Sequence, residues 1–209
     1  MPPSLAQVRS WLGPRPTFLQ FTNLFEQTLA YVWTQTWFKL LLGRVGPRSI
    51  IMGARLGGNG RAIFIGADVM VRWSTRLEAI PRFAGRDLNP HLEIGDNTNI
   101  EQGCHIMCGG KIVIGSNVSI TPGCAIIDIT HPFDTSDQKI GTAPINLDPI
   151  EIGDGAFLGN NVSVLPGTRI GKYVVVGANS VVQGILPDYT VWAGNPARCI
   201  LRYDRSNSM

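Results

Sequence analysis

Histidine and cysteine are scarce in this chain, at three and four of 209 residues, and charged residues make up only 16% of it. Each shortage closes off a class of function. Four cysteines without paired spacing give neither a disulfide frame nor a zinc cluster. Cys104 and Cys124 fall on small inward positions of a repeat, and Cys108 lies in a glycine-flanked bend, where free thiols serve as core fillers. Cys199 stands alone near the end. No histidine lies within a few residues of another, so the three-histidine zinc centre a carbonic anhydrase needs has no local pattern, and no metal is expected. The formal charge of +3 is spread out with no run of Lys and Arg, which argues against a nucleic-acid partner. No charged start followed by an apolar stretch and a small-residue cleavage site opens the chain, so the expected location is cytoplasmic.

What the chain does have is a period. Ile152, Leu158, Val164, Ile170, Val176 and Val182 recur at every sixth residue, as do Ile94, Ile100 and Ile106, then Ile114, Ile120 and Ile126 after a two-residue offset. A helix repeats apolar residues every three or four positions and a half-buried strand every two, so a step of six requires a bend in each unit. Glycine often follows the aliphatic residue (Gly95, Gly115, Gly153, Gly171), and we expect it to relax the backbone at the bend. Four positions on comes a small or β-branched residue such as Thr98, Cys104 or Ala156. Three units make one coil, and coils stacked about 4.8 Å apart bury a ladder that no single repeat could hide. The fold class is therefore all-β, a parallel β-helix of hexapeptide repeats, and 44% apolar content suffices for one such domain.

Three segments depart from the repeat. Residues 1–45 hold a Pro- and Arg-containing leader and, from Phe18 to Leu42, an amphipathic α-helix with apolar residues at steps of three and four. Gln20, Glu26, Gln35 and Lys39 are among the residues that interrupt it, so it is not a membrane span. Its aromatic face, with Trp33 and Trp37, suits packing on the prism or a neighbouring subunit better than a membrane surface, because its polar face carries little Lys or Arg. The prism occupies 46–187, with a break at Pro81–His91 and an extended loop at 128–149, and 188–209 is a C-terminal segment. A repeat fold spends most residues on stacking, so the 128–149 loop is where chemistry is expected.

The hexapeptides, the segments Ile114-Gly-Ser-Asn-Val, Thr130-His-Pro-Phe-Asp134 and Pro149-Ile-Glu-Ile-Gly153, and the ending Tyr189-Thr-Val-Trp-Ala-Gly-Asn-Pro-Ala-Arg198 together resemble the hexapeptide-repeat acyltransferases. Within them, the resemblance is to the maltose and galactoside O-acetyltransferases and their relatives in bacterial surface-polysaccharide and lipopolysaccharide biosynthesis. It covers roughly Ile94 to Leu201. It implies a left-handed β-helix, a homotrimer with active sites between subunits, acetyl-CoA as cosubstrate and a carbohydrate acceptor.

By the same resemblance His131 is the catalytic base, a role that imidazole suits near neutral pH. Asp128, Asp134 or Asp148 would orient its ring, and the residues do not choose among them. Gly159, Asn160, Gly177 and Ala178 are implied to let the pantetheine arm approach main-chain amides, and Arg198 to meet the nucleotide phosphates. Glu101 and His105 are the candidates for the acceptor cleft, whereas His91 reads as structural. The chain departs from the family at Phe157, where Trp is usual, at Gln183-Gly184, where Thr-Lys is usual, and near Glu101 and Gly109, where sugar-contacting Asn and Asp are expected. Simple galactosides are thus poor candidates. The leading reading is O-acetylation of a sugar hydroxyl in a surface polysaccharide or its lipid-linked precursor, which would bring the enzyme to the cytoplasmic face of the inner membrane. N-acetylation of an amino sugar, an antibiotic acetyltransferase and a noncatalytic scaffold are the alternatives.

Overall fold

The computed structural model describes residues 18–132 and 143–204. Three sheets of seven, eight and six short strands form the sides of a prism, parallel throughout except for the last strand of the eight, Ala197–Arg202, which folds back antiparallel. Face A runs from Arg44–Val45 to Ile185–Leu186, face B from Ile50–Ile51 to Thr190–Gly194, and face C from Arg55–Gly58 to Val181–Val182. The sixfold period becomes three ladders. On face A, Ile94, Ile114, Ile152, Ile170 and Leu186 are in register, one per coil. Val71, Ile100, Ile120, Leu158 and Val176 stack on face B, and Leu77, Ile106, Ile126, Val164 and Val182 on face C. All these side chains are buried, at 3% exposure or less, and full burial of each contributes roughly 1.5–3 kcal/mol.

The bend lies elsewhere in the repeat than we expected. The glycines after the aliphatic residue have ordinary φ; a Cβ on Gly153 would stand 2.7 Å from the backbone carbon of Gly171 in the next coil, so glycine there permits close stacking. The left-handed residue comes three after the aliphatic one, for example Asn97 (φ 56°), Asn117 (φ 58°) and Asn161 (φ 57°), alternating with Gly103, Gly123 and Gly155. Asparagine and glycine are the residues that accept this region at least cost.

Two of the cysteines on the inward positions fill the core as the pattern implies. Cys104, Cys108 and Cys124 are buried free thiols, and burial holds the thiol of Cys108 up at about 12. Cys104 is likewise raised, by its hydrogen-bonded neighbour Cys124 and by burial. Neutral thiols of this kind are poor nucleophiles.

The N-terminal helix is α-helical from Phe18 to Trp33, widens into a π turn at Thr34–Phe38, and closes at Lys39–Leu41. Hydroxyls of Thr34 and Thr36 donate back to the carbonyls of Ala30 and Val32, the kind of bond that loosens a helix locally. Of the helix's aromatic residues, Phe38 packs against the prism core. The side against the prism is held by polar contacts: the Ile51 N–H donates to Thr34 Oγ1 at 2.8 Å, and Gln35 Nε2 donates to the carbonyls of Gly46 and Ser49. The aromatic face points away from the prism, with Trp33 and Trp37 more than half exposed.

Candidate active site

Two inserts leave the prism at the same corner, where face C passes to face A. The first contains the hairpin Arg82–Phe83 with Arg86–Asp87, turned by Ala84 (φ 46°) and Gly85 (φ 78°); two positive φ values in a two-residue loop suit the right-handed twist of a tight hairpin. The second is the long loop. Its stem pairs Ile129–Thr130 antiparallel with Asn146–Leu147, and His131 follows directly on the outgoing strand, with an exposed ring. The inserts meet: the Phe83 ring lies edge-on to the His131 ring, centroids 5.4 Å apart.

Between the inserts, the intervening coil makes its corner with Gly109-Gly110, and this is what seats the stem. A Cβ on Gly109 would come within 2.8 Å of the Leu147 side chain and 3.0 Å of that of Ile129, so glycine seats the stem without displacing either. Asp128, fully buried at the root of the stem, accepts hydrogen bonds from the N–H groups of Gly109 at 2.7 Å and Gly110 at 2.9 Å. Its backbone carbonyl also accepts from Asp148 N–H.

This geometry narrows the question of what orients His131. The Asp128 carboxylate is committed to two amides and makes no hydrogen bond to the ring, so it positions the arm rather than the imidazole. Asp148 is exposed and touches no part of the ring among the described hydrogen bonds; its carbonyl instead accepts from Gly167 N–H. Asp134 lies outside the described residues. Within the described part of the chain, the ring contact is Phe83, which sequence reasoning missed. The Gly85 turn signal was visible, but nothing local said that the hairpin reaches a loop more than forty residues away.

The cofactor and acceptor candidates assemble along a different edge, where face B passes to face C. A continuous ladder of amide-to-carbonyl bonds climbs it. Arg72 N–H donates to Ile100, Glu101 N–H to Ile120, Thr121 N–H to Leu158, Gly159 N–H to Val176, and Gly177 N–H to Trp192. Gly159 and Gly177 thus stack on one line, and Ala193 above them pairs with Arg198 in the terminal hairpin. A Cβ on Gly159 would stand 2.6 Å from Ala178 N, so coil stacking alone already demands glycine there. Asn160 and Ala178 are exposed beside this line. Arg198 is exposed too, with Nη1 donating to the Ala197 carbonyl.

Lower on the same edge Glu101 accepts from Asn99 Nδ2 at 2.7 Å and pairs with Arg72 at 3.0 Å. His105 opens the adjoining strand of face C. Its Nε2 stands 3.8 Å from Glu78 Oε2, and both atoms are buried without a hydrogen-bond partner. Unsatisfied buried polar atoms cost about 1–3 kcal/mol each. Arg72 and Glu78 are further residues the sequence reading did not select. His91 packs against Phe64 on face A, in keeping with a structural role. Among the described residues no three His, Cys, Asp or Glu side chains cluster as a metal site.

One chain therefore holds the candidate base and the candidate cofactor residues on separate edges. His131 sits across the width of face C from the Glu101–Gly177 edge, some five or six extended residues, or about 17–20 Å.

Comparison with known proteins bears on this arrangement. Residues 149–184 match the family model "Bacterial transferase hexapeptide (six repeats)". The chain is 37% identical to a Saccharomyces cerevisiae protein provisionally named an acetyltransferase, over 58% of this chain and 61% of that protein. It is 36% identical to WbbJ of Escherichia coli, provisionally named a lipopolysaccharide biosynthesis O-acetyl transferase, over 54% of this chain and 62% of that protein. It thus spans less than two thirds of the length of these relatives. Among solved structures, the N-acyltransferase AntD from Bacillus cereus, in complex with dTDP and 3-hydroxybutyryl-CoA, superposes with a TM-score of 0.72 at 20% identity, covering 85% of this chain and 92% of that one. The hexapeptide-repeat acetyltransferase VCA0836 from Vibrio cholerae, complexed with acetyl-CoA, gives 0.62 at 24% identity, covering 96% and 89%. The fold is the parallel β-helix that the hexapeptides implied, with the left hand that the family resemblance implied.

Proposed function

We propose, from the match of residues 149–184 to the hexapeptide-repeat model of bacterial transferases, that the chain transfers an acetyl group from acetyl-CoA to a sugar hydroxyl in a closed homotrimer. The observation that carries this reading is the separation of its two halves. His131 stands on an arm at one prism edge, while the glycine line of Gly159 and Gly177, with Arg198 beside it, runs along another. A cyclic trimer of prisms brings the arm of each chain against the next chain's glycine edge, since each neighbour contact then repeats the same two surfaces.

In that groove the exposed Asn160 and Ala178 flank a path for the pantetheine arm, and Arg198 supplies a guanidinium for phosphate. His131 takes the proton from the acceptor hydroxyl as its oxygen attacks the thioester carbonyl. The carbon–sulfur bond then breaks, and the imidazolium returns a proton to the departing coenzyme A thiolate. Backbone N–H groups are suited to the oxyanion formed between these steps. The unsatisfied pair His105 and Glu78, beside Glu101, supports an acceptor rich in hydroxyls. No metal takes part in this reading, and its location is the cytoplasm, where acetyl-CoA is available.

The likeness to AntD keeps N-acylation of an amino sugar as the second reading. The test is the product. Incubated with acetyl-CoA and nucleotide sugars bearing free hydroxyls or free amines, the protein should give a 42-Da-heavier product on a hydroxyl sugar that mild alkali reverses, as ester chemistry requires. An alkali-stable product formed only on the amine would replace this reading with the second.

A further inference from the structure

Soluble proteins normally turn the apolar face of a surface helix inward, and here, apart from Phe38, much of it stays outward. The N-terminal helix docks through Thr34 and Gln35, while Phe25, Val32, Trp33, Trp37, Leu40 and Leu41 are each more than half exposed. The two tryptophans stack at 5.9 Å. The apolar surface continues onto the prism through Trp73, which with Leu29, Trp33 and Phe38 lines an open cavity of about 280 Å³. A contiguous apolar patch of this kind marks a surface that something covers.

Charge indicates what covers it. Residues 18–61 contain five basic residues, Lys39, Arg44, Arg48, Arg55 and Arg61, and only one acidic residue, Glu26, a formal +4. Arg44 and Arg48 pair with Glu93 and Asp68 at the surface, whereas Lys39, Arg55 and Arg61 have no carboxylate partner among the described residues. A second copy of this cap would set like charge against like. An anionic lipid surface attracts it, by about 1 kcal/mol for each basic residue near the headgroups. The helix itself carries one cation, Lys39, and the adjoining prism end adds Arg55 and Arg61. No described helix is long and apolar enough to cross a membrane, so the segment lies in the surface plane.

We infer that this helix is an interfacial anchor, with Trp33, Trp37, Leu40 and Leu41 seated at the headgroup–acyl boundary of an anionic bilayer and Lys39, Arg55 and Arg61 facing its phosphates. Tryptophan is suited to that depth, with an apolar body and an N–H that finds a polar partner. The inference stands apart from the acetyl-transfer reading and is tested without turnover.

Flotation of the full chain with vesicles of phosphatidylglycerol and phosphatidylcholine, against phosphatidylcholine alone, reads the binding directly. We expect partition to the anionic vesicles at least about ten-fold stronger than to the neutral ones, weakened at 0.5 M salt as screening shortens. The variant Trp33→Ser/Trp37→Ser/Leu40→Ser should lose partition by about ten-fold or more while keeping its melting temperature and oligomeric state, since these side chains face away from the prism. Absence of binding to anionic vesicles overturns the inference. So does a triple variant that binds vesicles as before but changes oligomeric state, which would make the face a contact between copies.

Discussion

His131→Ala should lower kcat for acetyl transfer by about 10²–10⁴-fold, the usual worth of a positioned general base, while the KM for acetyl-CoA stays near its original value. Geometry sets both halves of this expectation. The ring is exposed at the head of its stem and touches Phe83, so its loss removes little packing and the melting temperature should hold. The glycine line implied to receive coenzyme A is on another edge of the prism, so cofactor binding has no reason to weaken. Steady-state kinetics of the purified variant decide it. Turnover near that of the original protein would remove the imidazole from the mechanism.

The largest effect on stability should come from Asp128→Ala. The carboxylate is fully buried and accepts from the buried Gly109 N–H and the partly buried Gly110 N–H. Removing it strands both donors at roughly 1–3 kcal/mol each, which for a chain of this size lowers the melting temperature by roughly 5–20 °C. Asparagine is no rescue, because its one carbonyl oxygen can meet one amide while its NH₂ faces the other. A separate readout shows that the residue also positions the arm. Below the melting range, kcat should fall several-fold with acetyl-CoA KM little changed, because the root of the stem loosens and the far edge does not. An unchanged melting temperature and kcat would show that the stem does not depend on this carboxylate.

The period of six made the three ladders legible, because each inward side chain contacts only its counterparts in the coils above and below. It also marked the 128–149 loop, which has no counterpart in the repeat. The bend was misassigned. Glycine after the aliphatic residue and asparagine three residues on both fit a turn, and only the distance between Gly153 and Gly171 separates a stacking requirement from a φ requirement. The role of Asp128 was hidden for a related reason. Its partners, Gly109 and Gly110, belong to the previous coil, and the loop breaks the register that would have connected them. Phe83 meets His131 through two irregular inserts, where no period carries information. For the helix, the hydrophobic stripe was legible but not its docking, since Thr34 and Gln35 find backbone partners on the prism that a helical pattern cannot display.

Mixed trimers test most directly whether the site forms between chains. His131→Ala lacks the base but keeps the glycine edge, and Ala178→Trp/Arg198→Glu fills and repels at that edge but keeps the base. Both sets of changes fall at exposed positions. Each homotrimer should be nearly inactive at limiting acetyl-CoA. Co-expressed in equal amounts and assembled at random, they should recover about one quarter of the original activity, because about one site in four then pairs an intact arm with an intact edge. Recovery no greater than the mean of the two inactive parents would contradict a site shared between chains.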